Sequence, residues 1–156
     1  MATCQQFAED APGLAEPVRA RLESAPNHVL ASLRRDGSPR VSGTEVRWHG
    51  PDLVIGSMPG AVKAQDLRRD PRFALHAHPT DQELSGGDAK LSGTAVELAG
   101  EQHRALIQQL GQEVRDAWLF RLELAEAVLT EVGDDRSLII KRWRPVDGVT
   151  AFKRDG

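Results

Sequence analysis

The sequence predicts a mainly β domain with short helices: an antiparallel sheet of about six or seven strands closed into a small barrel, with the helices at its rim. Three observations carry this prediction. Short apolar segments recur at hairpin spacing between residues 28 and 57, separated by the turn signals Asp36-Gly37 and Gly50-Pro51. Helical patterns only interrupt that series, so the regular strand–helix alternation of a doubly wound sheet is missing. The chain has 156 residues and 40% apolar content, which is one domain's worth and enough to bury a core without staples.

The elements follow in order. "LAEPVRARLES" (14–24) sets Leu14, Val18 and Leu22 at helical spacing before Ala25-Pro26-Asn27 stops the run, giving an N-terminal helical segment within residues 1–26. "HVLASL" (28–33) reads as a strand, Asp36-Gly37 as its turn, and "VSGTEVRW" (41–48) as the return. "LVIGS" (53–57) makes a third consecutive antiparallel strand. Residues 60–68 read as about two helical turns, ended at Asp70-Pro71 because the residue before proline disfavours helix. "RFALHAH" (72–78) resumes extended structure, 79–89 is a polar surface loop, and "KLSGTAVEL" (90–98) is strand five. A second helix runs from Gly100, with Leu106 and Leu110 four apart and a stop near Gly111. From Trp118, Phe120, Leu122 and Leu124 alternate with Arg121 and Glu123, and after an irregular middle "VLTEV" continues the strand. "SLIIKRW" is the last strand. The barrel thus spans 28–143, and 144–156 reads as a loosely held tail.

Composition excludes several classes. The formal charge of -3 opposes wholesale nucleic-acid binding, which depends on many phosphate-neutralising cations. Sixteen of the 20 cations are arginine, a bias that coding composition explains as well as anion recognition does. The single cysteine, Cys4, has no partner for a disulfide or a cysteine zinc site. No apolar run approaches membrane-spanning length and no leader pattern opens the chain, so the expectation is a soluble cytoplasmic protein with no membrane or nucleic-acid partner.

Chemistry concentrates in "GSMPGAVKAQDLRRDPR" (56–72). A helix start offers unpaired N–H groups and partial positive charge to an anion, and Lys63 adds a full charge beside it. The bland alternative is a solvated surface lysine. Arg68, Arg69 and Arg72 read as solvated or as partners of Asp66 and Asp70. His76 and His78 share one strand face but lack a third metal ligand, so hydrogen-bonding roles and no metal are expected. Glu123 with Glu126, and Asp134 with Asp135, sit on strand edges and turns and receive no catalytic role; no Gly-x-Ser-x-Gly elbow supports acyl transfer.

The run from His28 to His78, with its "DGSPRVS" hairpin, its Lys63-to-Arg72 helix exit, and the later "LSGTAVEL" strand, resembles the pyridoxamine 5'-phosphate oxidase-like family of flavin-binding split barrels, including its deazaflavin-dependent relatives. The similarity extends from about His28 to Trp143. It implies a split barrel binding FMN, with the deazaflavin coenzyme F-420 as the alternative, and a haem-binding or non-catalytic module as the alternative of another class. The implied cofactor set is Ser42 and Thr44 on strand two, Gly56 and Ser57 ending strand three, and Val62 and Lys63 opening the helix. The family's Ser-Arg-Lys triplet reads Ala61-Val62-Lys63 here, so only the lysine is retained. The resemblance further implies a homodimer with the flavin groove between subunits and an apolar face such as Phe120 to Leu124 buried there. It implies an oxidoreductase acting on a small substrate, and it names no catalytic residue.

Overall fold

One antiparallel sheet of nine strands organises the chain, seen in a computed structural model that describes residues 1–111 and 116–155. The elements are α1 (Cys4–Asp10), α2 (Pro12–Glu23), β1 (His28–Leu33), β2 (Pro39–Thr44), β3 (Val46–His49), β4 (Asp52–Ser57), α3 (Val62–Arg69), β5 (Arg72–His76), β6 (Asp88–Glu97), α4 (Gly100–Leu110), β7 (Trp118–Val132), β8 (Leu138–Arg144) and β9 (Gly148–Arg154). The strands lie in the order β2-β1-β5-β6-β7-β4-β3, with β8 on β7 and β9 on β8.

The two ends of that path, β2 and β3, are consecutive in the chain and separated only by Glu45. Thr44 pairs with His28 of β1, whereas Val46 pairs with Ile55 of β4. The segment read as one returning strand is therefore two, because the chain leaves one ladder at Thr44 and enters another at Val46. No ladder joins the two edges, so the sheet is not closed by hydrogen bonds, and the barrel is split.

β7 is shared. Its first residues pair with β4, from Trp118 opposite Ser57 to Arg121 opposite Val54, and its last pair with β8, from Ala127 opposite Trp143 to Val132 opposite Leu138. β6 spans both halves. The irregular middle of β7 is a bulge, where Ser92 and Gly93 face Glu126 and Leu124 and leave Ala125 as the extra residue. Gly93 is required there: a Cβ would lie 1.9 Å from the Glu123 carbonyl oxygen.

The strand count exceeds the expected six or seven by β3 and β9. The expected tail is mostly β9, paired with β8 from Leu138 opposite Arg154 to Arg144 opposite Gly148. Its residues are exposed or half-exposed on both faces, so no apolar alternation marks it in the sequence.

The N-terminal segment plugs the inner face of the sheet. α1 starts at a capping box: Thr3 Oγ1 accepts from the Gln6 N–H at 3.1 Å, and Gln6 Oε1 accepts from the Thr3 N–H at 2.8 Å. This folds Cys4 and Phe7 inward, so Cys4 is buried despite its polar sequence neighbours. Phe7, Leu14, Val18 and Leu22 pack with Phe120, Leu122 and Leu124 in one core cluster. Those three β7 side chains are buried within the protomer, so the apolar face expected at a subunit interface is not available for one. Trp143 is buried in the same core; its Nε1–H donates to Asp10 Oδ2 at 2.5 Å and its ring lies 4.7 Å from that of Phe7. Burying each such side chain contributes roughly 1.5–3 kcal/mol. α4 covers the opposite face of β4, where Val54, Leu98, Leu106 and Leu119 form a second cluster, and Gly111 caps it with φ +98°. Among the described residues, no helix is long and apolar enough to cross a membrane.

Candidate functional site

Ala64, Asp66 and Leu67 form the buried side of α3. The Asp66 carboxylate, 1% exposed, accepts from Ser32 Oγ of β1 at 2.8 Å, from Arg40 Nε of β2 at 2.7 Å and from an Arg69 guanidinium nitrogen at 2.8 Å. Burial pushes the Asp66 carboxyl up, but the hydrogen bonds from Arg40, Arg69 and Ser32 outweigh it and hold the group below its ordinary value. α3 is thereby fixed against β1 and β2. The sequence shows Asp66 only as a possible arginine partner; a lone carboxylate between Ala64 and Leu67 on the apolar side of a short helix was the available signal.

That anchoring sets the helix start beside β2. Lys63 is half-buried, and its Nζ donates to the Gly43 carbonyl oxygen at 3.0 Å. Burial lowers the lysine's pKa, and the nearby Glu45 carboxylate partly opposes the shift. The β3–β4 ladder begins at Val46 opposite Ile55, the residue before Gly56 and Ser57, and β2 is in contact with β4. Thr44, Gly56, Ser57 and Lys63 therefore belong to one corner, where β2, the end of β4 and the start of α3 meet. Thr44 is 2% exposed, with its hydroxyl donating to the Glu45 carbonyl at 3.2 Å, and Ser57 is similarly buried, donating to the Met58 carbonyl at 3.2 Å.

The two other predicted residues stand differently. Ser42 alternates with Arg40 and Thr44 on the sheet face turned toward α3, opposite Leu30 of β1. The Val62 side chain is 53% exposed, so it brings a backbone N–H of the first helical turn and no polar side chain. Ala61 at the cap position makes no side-chain hydrogen bond, which leaves the start of α3 open to an outside acceptor. Val41 (72% exposed) and Met58 (80%) add apolar surface from β2 and from the residue after β4.

The arginines of the same stretch are committed elsewhere. Arg69 pairs with Asp66 and Arg72 with Asp70, as the sequence suggests. Arg68 does not take either carboxylate: it grips Glu97 of β6 with bonds of 2.6 to 3.0 Å and lies 3.2 Å over the Trp118 ring. Lys63 uses one of its three N–H groups on Gly43 and so keeps donors to spare. The donors this corner offers are the Lys63 ammonium, the N–H groups at the start of α3 and the hydroxyls of Thr44 and Ser57.

The His76 ring is engaged in the protein's own hydrogen bonds, whereas His78 is exposed and bonds through its backbone. His76 Nδ1 contacts the Ala77 carbonyl at 2.6 Å and Nε2 contacts Asp88 Oδ2 at 3.2 Å, while the His78 backbone N–H donates to His28 Nδ1 at 2.9 Å. Among the described residues, no group of three or more His, Cys, Asp or Glu is placed to hold a metal ion.

Comparison with known proteins extends these observations. The family model described as pyridoxamine 5'-phosphate oxidase matches residues 14–137. No curated protein matches the chain. The fold is similar to PhzG from Burkholderia lata 383, solved in complex with tetrahydrophenazine-1-carboxylic acid (TM-score 0.70, 13% identity, 97% of this chain and 92% of that one). It is also similar to a pyridoxamine 5'-phosphate oxidase-related, FMN binding protein from Nostoc punctiforme PCC 73102 (0.64, 10%, 94% and 96%), and to an F420 reductase (0.55, 17%, 70% and 94%). At such identities the likeness speaks for the fold alone. With the family model covering most of the chain and the split sheet in place, the protein belongs to the pyridoxamine 5'-phosphate oxidase-like family of split barrels.

Proposed function

We propose that the chain is an oxidoreductase of the cytoplasm that binds FMN where β2, the end of β4 and the start of α3 meet, in a groove completed by a second copy, and that it acts on a small substrate. The observation that carries this reading is the Lys63 contact to Gly43, which holds a cation with spare donors at an uncapped helix start. In this reading Lys63 and the first-turn N–H groups bind the cofactor phosphate, and the Thr44 and Ser57 hydroxyls turn from their own backbone carbonyls toward it. Bound flavin supplies the hydride chemistry; the protein positions it and excludes water. The apolar side chains of Val41, Met58 and Val62 would be covered by the partner copy.

A deazaflavin reading is favoured by one observation: Ala61 and Val62 stand where the family's phosphate triplet has a hydroxyl and a guanidinium, so of that triplet the lysine alone remains. A haem reading gains nothing from His76, because both of its ring nitrogens are engaged. Titrating the purified protein with FMN, coenzyme F-420 and haemin, followed by visible absorption and fluorescence, separates the three. The proposal expects saturable FMN binding, with F-420 preference supporting the second reading and failure of both flavins removing the site.

A further inference from the structure

Glu45 is the single residue between β2 and β3, where the two open edges of the sheet part. Its neighbours belong to the corner around Lys63. The Lys63 ammonium donates to the carbonyl of Gly43, two residues before it, and the Thr44 hydroxyl donates to the carbonyl of Glu45 itself at 3.2 Å. The Glu45 carboxylate is near enough to Lys63 to oppose the effect of burial on the ammonium. It also meets the Arg47 guanidinium at 3.3 Å, with both side chains about half exposed, so this pair is solvated and weak.

A carboxylate beside an ammonium acts on an incoming anion in proportion to that anion's charge. Repulsion from Glu45 falls about twice as hard on a doubly charged phosphomonoester as on a singly charged phosphodiester, and spares an uncharged ligand. The Arg47 pair does not change the sign, because replacing Glu45 both removes a repulsion and frees a guanidinium at the same place. We propose, on the reading that this corner takes a flavin phosphate, that Glu45 is a specificity-determining residue that selects by charge, penalising a terminal phosphomonoester relative to a singly charged phosphodiester. Such discrimination by repulsion keeps a lysine at an uncapped helix start from taking polyanions at large.

The test measures binding of FMN, riboflavin 4',5'-cyclic phosphate and riboflavin to the full chain by flavin fluorescence at low salt and about pH 7.5, where the three carry about two, one and no negative charges. Glu45→Gln should tighten FMN about four- to tenfold and the cyclic phosphate about two- to threefold, and leave riboflavin within about twofold. Glu45→Asp, which keeps the charge, should stay near the parent for all three, and high salt should shrink the gains of Glu45→Gln. In flavin-free protein the same Glu45→Gln change should lower the Lys63 titration midpoint, followed by lysine-selective NMR, because the opposing carboxylate is gone. A parent that binds FMN no better than riboflavin would remove the phosphate from this corner, and the role of Glu45 with it. A parent that prefers FMN would keep the corner; the role of Glu45 is then overturned if folded Glu45→Gln binds all three ligands as the parent does, gains equally for all three, or leaves Lys63 titrating unchanged.

Discussion

The Asp66 carboxylate lies 2.7 Å from Arg40 Nε, almost wholly out of water, and the pair joins α3 to β2 across 26 residues of chain. Three donors satisfy this one buried charge. Removing it strands two guanidinium groups at a partly buried junction.

Asp66→Ala should therefore destabilise the fold by about 2–4 kcal/mol, measured by urea unfolding, with Asp66→Asn milder. The pH dependence follows from the sign of the shift. The folded-state carboxyl is more acidic than the unfolded one, so its contribution is complete above about pH 4 and is lost as the pH falls through the folded value. A variant as stable as the parent at pH 7 would remove Asp66 from its anchoring role.

His28 predicts a loss of stability in a milder acid range. Its ring is buried, with Nε2 at 2.8 Å from the Leu22 carbonyl and Nδ1 accepting from the His78 N–H, an arrangement that only the neutral tautomer fits. Burial lowers its pKa, hydrogen bonding of the ring to the Leu22 and Ala25 backbone carbonyls opposes the shift, and His78 and Arg21 add to it. Because the unfolded chain binds the proton more readily, stability should decline as pH falls below about 6.5 and level off beneath the folded value. Urea midpoints at pH 7.5 and 5.5 check this, and His28→Gln should flatten the difference.

Gly93→Ala should destabilise by more than about 3 kcal/mol or abolish folding, since the new methyl would collide with a backbone carbonyl at the β6–β7 bulge. Circular dichroism melting reads the effect. Gly43→Ala serves as the control, because open space surrounds the position where its Cβ would lie.

How much of this was legible in the sequence depended on whether a residue's role was local. Turns and helix stops such as Asp36-Gly37, Asp70-Pro71 and Gly111 act through neighbouring dihedrals, and the structure has them where the pattern put them. β9 escaped notice because both of its faces are exposed, so periodicity had nothing to register. The division at Glu45 escaped because it depends on which strands Thr44 and Val46 meet, and those partners, His28 of β1 and Ile55 of β4, lie in different strands outside the local pattern. The corner of Thr44, Gly56, Ser57 and Lys63 was reached through family resemblance. The groups that shape it, Asp66 with Arg40 and Ser32, follow from long-range packing and have no short-range signature.

A second copy should cover the apolar rim of the corner. Val41→Lys, at a position 72% exposed, should then convert a dimer to a monomer in light scattering while leaving the far-ultraviolet circular dichroism unchanged. A parent protein that is monomeric at micromolar concentration while retaining bound cofactor would refute the shared groove.

The central claim is that Lys63 holds the cofactor phosphate, and flavin titration of the parent and Lys63→Ala at two ionic strengths tests it most directly. Lys63 now donates to the Gly43 carbonyl on the protein's surface side, so its loss should leave the unfolding transition within about 1 kcal/mol of the parent. FMN binding should weaken by about one to two decades, the worth of a charge-assisted contact of roughly 1.5–3 kcal/mol. The gap between parent and variant should narrow as salt rises. Equal affinity of folded parent and variant for FMN and for F-420, at both ionic strengths, would contradict the account and place the phosphate elsewhere.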